Sequence, residues 1–184
     1  MSDRLKSTAA LAVMAVTAVI AVAPYLATVG QSAAQEADTA TQTAAEDASP
    51  IYGVTIPKGY RQWQLIAPSE EAAPLNELRA ILGNSVAIDA YRDGTLPFPD
   101  GTILAKLAWK HVPSSEFKPA SVPGAATTVQ IMVKDSKKYP DTGGWGFGRF
   151  INGKPVDEAQ HRTCFACHQA NVKAHDFVFT RWAP

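Results

Sequence analysis

Five consecutive residues near the C-terminus, Cys164-Phe165-Ala166-Cys167-His168, carry the most specific chemistry in the chain. Two thiols three positions apart, followed at once by an imidazole, form the attachment signature of a c-type haem. Each sulfur would add across one vinyl group of the porphyrin, giving two thioether bonds. His168 would reach the iron as its proximal ligand. Other chemistries compete for the same residues. A structural zinc site needs four ligands, and outside the motif the chain has no cysteine and three histidines, His111, His161 and His175. A thioredoxin-like redox pair wants a strand just before it, whereas the preceding stretch is polar and helix-like. A disulfide would close a very small loop and leave the adjacent histidine unexplained. One covalently attached haem c and its iron account for Cys164, Cys167 and His168 together.

Such a motif needs a helical or irregular stretch to carry it, read here over residues 156–173, and a wall to face it. The wall is legible as strands. Residues 102–111 alternate, with Ile103, Ala105, Leu107 and Trp109 on one face and Leu104, Lys106, Ala108 and Lys110 on the other. Residues 127–134 alternate likewise. In 145–151, Gly146 and Gly148 oppose Trp145 and Phe147, leaving room for another backbone or a flat ring. Shorter signals give a strand at 60–66, a loop at 68–74, a strand from about 77 to 82, a helix from Ser85 to Tyr91, and a turn at Asn152-Gly153. Residues 177–182 read as a closing extended segment. The sum is an α+β domain: mainly antiparallel sheet of about five strands, short helices and a C-terminal haem motif.

The 184 residues allow one compact domain plus an appendage, and the zero formal net charge gives no electrostatic support for a nucleic-acid partner. Residues 1–34 read as an export signal: Arg4 and Lys6, an apolar run over 8–23, then Ser32-Ala33-Ala34 as a small-x-small cleavage site. An uncleaved N-terminal anchor is the alternative. A spanning helix needs roughly 20 apolar residues, and Pro24 interrupts this run. Either way the domain is expected in the periplasm. Residues 35–50 are acidic, without Lys or Arg, and are expected to form a disordered linker before a folded domain over 51–184.

Along that domain the sequence resembles the cytochrome P-460 family and its relative cytochrome c-prime-beta. The resemblance rests on an ordered set: Pro57-Lys58-Gly59-Tyr60-Arg61-Gln62-Trp63, Asp100-Gly101-Thr102-Ile103-Leu104-Ala105-Lys106, Val133-Lys134-Asp135-Ser136-Lys137-Lys138-Tyr139, the CFACH run, and Val178-Phe179-Thr180-Arg181. It implies a homodimer of antiparallel-sheet subunits, each with one five-coordinate haem. In cytochrome P-460 a lysine is joined to the haem, and the enzyme oxidises hydroxylamine, with nitric oxide as co-reactant, to nitrous oxide. In cytochrome c-prime-beta the cross-link is absent, a phenylalanine caps the open face, and the protein binds nitric oxide.

The resemblance assigns further residues. Lys106 falls at the cross-linking lysine; the competing reading is a surface lysine on a half-buried strand. Gln130 stands where the family places a distal carboxylate, and an amide cannot take up a proton at ordinary pH. Glu116 and Asp135 are nearby substitutes. Phe98, in the proline-rich loop before the lysine strand, is the candidate distal cap, against ordinary packing. Arg79 matches a pocket arginine, with a surface residue or a haem propionate partner as alternatives. His111, His161, His175 and Met132 are the other side chains able to ligate iron, and a sixth ligand would make an electron carrier. The expected activity is redox chemistry on, or binding of, small nitrogen oxides such as hydroxylamine and nitric oxide, with an unidentified redox partner. A non-catalytic nitric oxide binder or a periplasmic electron carrier are the alternatives.

Overall fold

Six strands follow one another across a single antiparallel sheet in the order in which they occur in the chain. The computed structural model describes residues 46–183. The strands are β1 (Gln64–Glu71), β2 (Glu77–Gly83), β3 (Ile103–Pro113), β4 (Ser121–Lys134), β5 (Trp145–Ile151) and β6 (Lys154–Pro155). Among the described residues there are two α-helices, α1 (Ser85–Asp93) between β2 and β3 and α2 (Glu158–Val172) after β6. The α+β reading holds, with six strands rather than about five. The extra strand is the two-residue β6. Asn152 and Gly153, at φ 50° and 79°, turn the chain back onto β5 to form it.

Departures from the sequence reading are local. Residues 60–62 form a 3-10 turn, and the first strand starts at Gln64 and runs through the expected loop to Glu71. Pro68 is tolerated because β1 is the sheet edge, where a missing N–H breaks no ladder. Helix α1 is capped one residue earlier than expected: the Asn84 side chain accepts from Ala87 N at 3.1 Å, and the same oxygen accepts from Ile103 N at 3.0 Å. The expected export segment, and the linker up to residue 45, lie outside the described residues. Residues 46–50 are attached to the domain. Ser49 is buried, its hydroxyl donates to Phe147 O at 2.9 Å, and Asp47 pairs with Lys154 at 2.7 Å. The expected start near Ile51 is therefore corrected to include Ser49, because a buried hydroxyl bonded to a strand carbonyl fixes the chain there.

Strand register decides what faces what. Ile81, Lys106, Gln130 and Arg149 stand side by side across β2–β5, and Leu104, Met132 and Phe147 form the next row on the same face. The other face carries Ala105, Leu107 and Ile131, all buried. On it Val54 lies against Gly148, and the Tyr139 ring covers Gly146, where an added Cβ would stand 2.3 Å from the ring. The flat ring that the strand glycines anticipated is a tyrosine. The C-terminal segment returns to the first strand: Ala183 N donates to Ile66 O at 3.1 Å, and Tyr91 Oη of α1 donates to Thr180 O at 3.2 Å.

Candidate functional site

Helix α2 is capped by Asp157, whose carboxylate accepts from Gln160 N at 2.9 Å, and Glu158 adds a negative charge in the first turn. From this start Cys164, Cys167, His168 and Asn171 line up along one side, because positions three and four apart stack on a helix. All four border a cavity of about 680 Å³ whose other walls are strands β1–β5 and residues 178–180. Cofactor sites typically measure about 300–1,000 Å³. Both thiols are free. Burial raises the Cys164 pKa and keeps it a thiol, which disfavours the disulfide-exchange reading.

His168 is oriented. Its Nδ1 lies 2.7 Å from Phe177 O, and a carbonyl can only accept, so Nδ1 carries the proton and Nε2 keeps its lone pair. Burial lowers the His168 pKa, partly offset by that bond, which favours the neutral imidazole that ligates metals. Phe147 and Phe179 pack on the ring with centroids 5.0 Å away. His161 is different. It is fully buried, its Nδ1 donates to Asp157 O at 2.9 Å, and its Nε2 accepts from Arg149 N at 3.0 Å. With both nitrogens engaged it fastens α2 to β5 and is no iron ligand. His111 and His175 do not border the cavity; Met132 does.

The sheet wall carries the charged groups. Lys106 faces the cavity, and burial, with the Arg79 charge second, lowers its pKa to about 8. It is half-buried on the cavity wall. Arg79 also borders the cavity but is held by Glu71 and Glu77, the latter at 2.7 Å. Glu77 is buried. Burial pushes its pKa up, but the hydrogen bonds from Thr127, at 2.6 Å, and from Arg79 outweigh this and hold it low. Gln130 lies between Lys106 and Arg149, its Nε2 donating to Thr128 Oγ1 at 3.3 Å. Glu116 sits exposed beside Ser114 and Ser115, and Asp135 caps a turn through Lys137 N and Lys138 N; neither borders the cavity.

Phe98 is a correction. It is buried in the core, with ring centroids 5.0 Å from Tyr91 and 5.9 Å from Trp145, and it does not border the cavity. The loop carrying it folds under α1, so its ring completes the apolar core instead of capping the site. Ile81, Leu104, Met132 and Phe147 supply the apolar lining of the sheet wall.

Sequence reasoning missed Glu77 and Arg149. Both were within reach: Arg149 continues the Trp145, Phe147 alternation, and Glu77 shares the face of Arg79 two residues on. Arg149 supplies the test of fit for a haem. Its Nε is buried and, among the described residues, makes no hydrogen bond. A buried donor left unpaired costs about 1–3 kcal/mol. An acidic group seated in the cavity would provide the acceptor, and a haem would bring two propionates. Two free thiols, a histidine with its Nε2 uncommitted and this guanidinium, arranged around one mainly apolar space, fit that cofactor.

A family model described as Cytochrome P-460 matches residues 57–180, which spans the sheet and α2. The comparison with curated proteins finds no match.

Proposed function

Since the chain belongs to the cytochrome P-460 family, which implies a haem cofactor, we propose that it is an exported, monohaem c-type protein that receives a small nitrogen oxide in the cavity facing α2. The observation that carries this reading is the face of α2: Cys164, Cys167 and His168 border one cavity, and His168 offers Nε2 inward. The thiols would hold the haem, His168 would hold its iron, and Arg149 would pair with an acidic substituent. When bound, the haem supplies an iron that takes up a small ligand and exchanges single electrons.

The remaining steps belong to the chain. Ile81, Leu104 and Met132 give the sheet wall an apolar patch beside Lys106 and Gln130, and such a patch favours small uncharged ligands such as nitric oxide. Gln130 offers an amide and cannot accept a proton. Three carboxylates border the cavity: Glu70 is exposed at its rim beside His111, Glu71 is paired with Arg79, and the bonds of Glu77 to Thr127 and Arg79 hold it ionised and make it a weak base. Binding of nitric oxide is accordingly favoured over turnover of hydroxylamine, which needs a proton acceptor. The family resemblance supports a homodimer, and the leader-like N-terminus supports the periplasm.

Absorption spectra decide. The purified red protein is expected to change its spectrum when nitric oxide is added to the reduced form, and to show little turnover of hydroxylamine with an artificial electron acceptor. Steady turnover would make it an oxidoreductase, with Lys106 and Gln130 flanking the reaction. An electron carrier is the second reading, because the Met132 thioether borders the cavity. A low-spin, six-coordinate spectrum lost in Met132→Leu would establish it. A colourless protein that folds normally would end the haem reading.

A further inference from the structure

A buried ion pair holds the turn that reaches His168, and the site chemistry leaves that pair without a role. Lys134 closes β4, and its side chain is 7% exposed; that of Asp176 is 9% exposed. The ammonium lies 2.8 and 2.9 Å from the two carboxylate oxygens of Asp176 and also donates to Gly143 O at 2.9 Å. The carboxylate further accepts from Phe98 N at 2.8 Å, and the Asp176 carbonyl accepts from Trp145 Nε1 at 2.8 Å.

The next residue delivers the acceptor for His168. Asp176 and Phe177 are both left-handed, at φ 47° and 62°, a conformation that consecutive non-glycine residues hold only when the surroundings impose it. The surroundings do so on two sides. Asp176 is fastened through its carboxylate and its carbonyl. The Phe177 ring lies over Gly143, where an added Cβ would stand 2.2 Å from it. One ammonium therefore ties both the acid that precedes Phe177 and the glycine under its ring. The outcome is a carbonyl 2.7 Å from His168 Nδ1.

We propose that Lys134 and Asp176 are positioning residues for the proximal ligand: their ion pair fixes the Phe177 carbonyl against His168 Nδ1 and so sets the strength of the iron–histidine bond. A firm acceptor on Nδ1–H raises the basicity of Nε2, as partners of metal-bound histidines do. This strengthens the bond to iron and favours the oxidised state. The inference rests on the haem reading above.

The test uses the holoprotein and its Lys134→Met, Asp176→Asn and Lys134→Arg variants. In Lys134→Met and Asp176→Asn the iron–histidine stretching frequency of the reduced protein is expected to fall, and the midpoint potential to rise. Lys134→Arg, which keeps the charge, should stay closer to wild type in both. Loss of packing alone would lower thermal stability without moving frequency and potential together in this sense. Loaded variants with the wild-type frequency and potential overturn the proposal.

If neither charge-removing variant accumulates, the wild-type protein decides. The His168 Nδ1 proton should then exchange with solvent as slowly as the amides of the central strands, and rapid exchange overturns the proposal. Failure of wild-type protein to hold haem refutes the cofactor reading instead, so the two failures are distinguishable.

Discussion

Lys106 shows how one side chain changes character with its surroundings. Its place on an alternating strand left two fates open, water or cofactor, and register settles the face: it stands between Ile81 and Gln130 on the cavity wall. Burial makes the amine easier to deprotonate. The neutral, nucleophilic form then dominates above about pH 8 instead of above 10.5. If the amine couples to an oxidised porphyrin edge, the yield should rise with pH through about 8 and level off beyond it. Spectra of denatured protein matured at a series of pH values would measure this. Lys106→Arg, charged throughout that range, should give only an ordinary haem c spectrum. A coupling yield that is flat or falls with pH would contradict the role assigned to the neutral amine.

Elements were legible in proportion to how locally they are determined. Strand β5 matches its expected bounds, because Trp145 and Phe147 alternate with glycines and a turn follows at once. Pro68 looks locally like the end of β1, yet the strand runs on to Glu71; only its place at the edge, a property of the whole sheet, makes the proline harmless. Phe98 was misplaced for a similar reason. Nothing local tells a phenylalanine in a proline-rich loop whether it caps a site or fills a core; α1 and Trp145, distant in sequence, decide it. The motif on α2 could be read outright, since thioether attachment fixes the spacing. The wall opposite it depended on pairing across four strands. At this scale Gly146→Ala is expected to destabilise the domain by about 1–3 kcal/mol through overpacking. The Tyr139 ring it would strike is itself held by a hydrogen bond from its hydroxyl to Tyr52 O at 3.0 Å. Denaturant titration of the holoprotein would measure the loss, and an unchanged midpoint would show that the ring yields freely.

For the molecule as a whole, the fold class and the haem motif are legible in the sequence, and assembly and location are tested in solution. The mature chain is expected to begin at Gln35, after cleavage behind Ala34, with a mass raised by one haem; intact-mass spectrometry distinguishes this from a retained anchor. Sedimentation of the purified protein is expected to give a dimer, and a monomer at all concentrations would remove that part of the resemblance.

The return of the C-terminal segment to the first strand bears on how the protein matures. Every strand precedes the cysteines in the chain, so the sheet can form while the thiols are still accessible to attachment enzymes. If the haem is attached at that stage, the bonds from Ala183 to Ile66 and from Tyr91 to Thr180 would act as a latch that closes last. On the thioether reading, a chain trimmed before residue 178 is expected to keep its colour yet leave one side of the pigment open to water, which absorption spectra of the truncated protein would test.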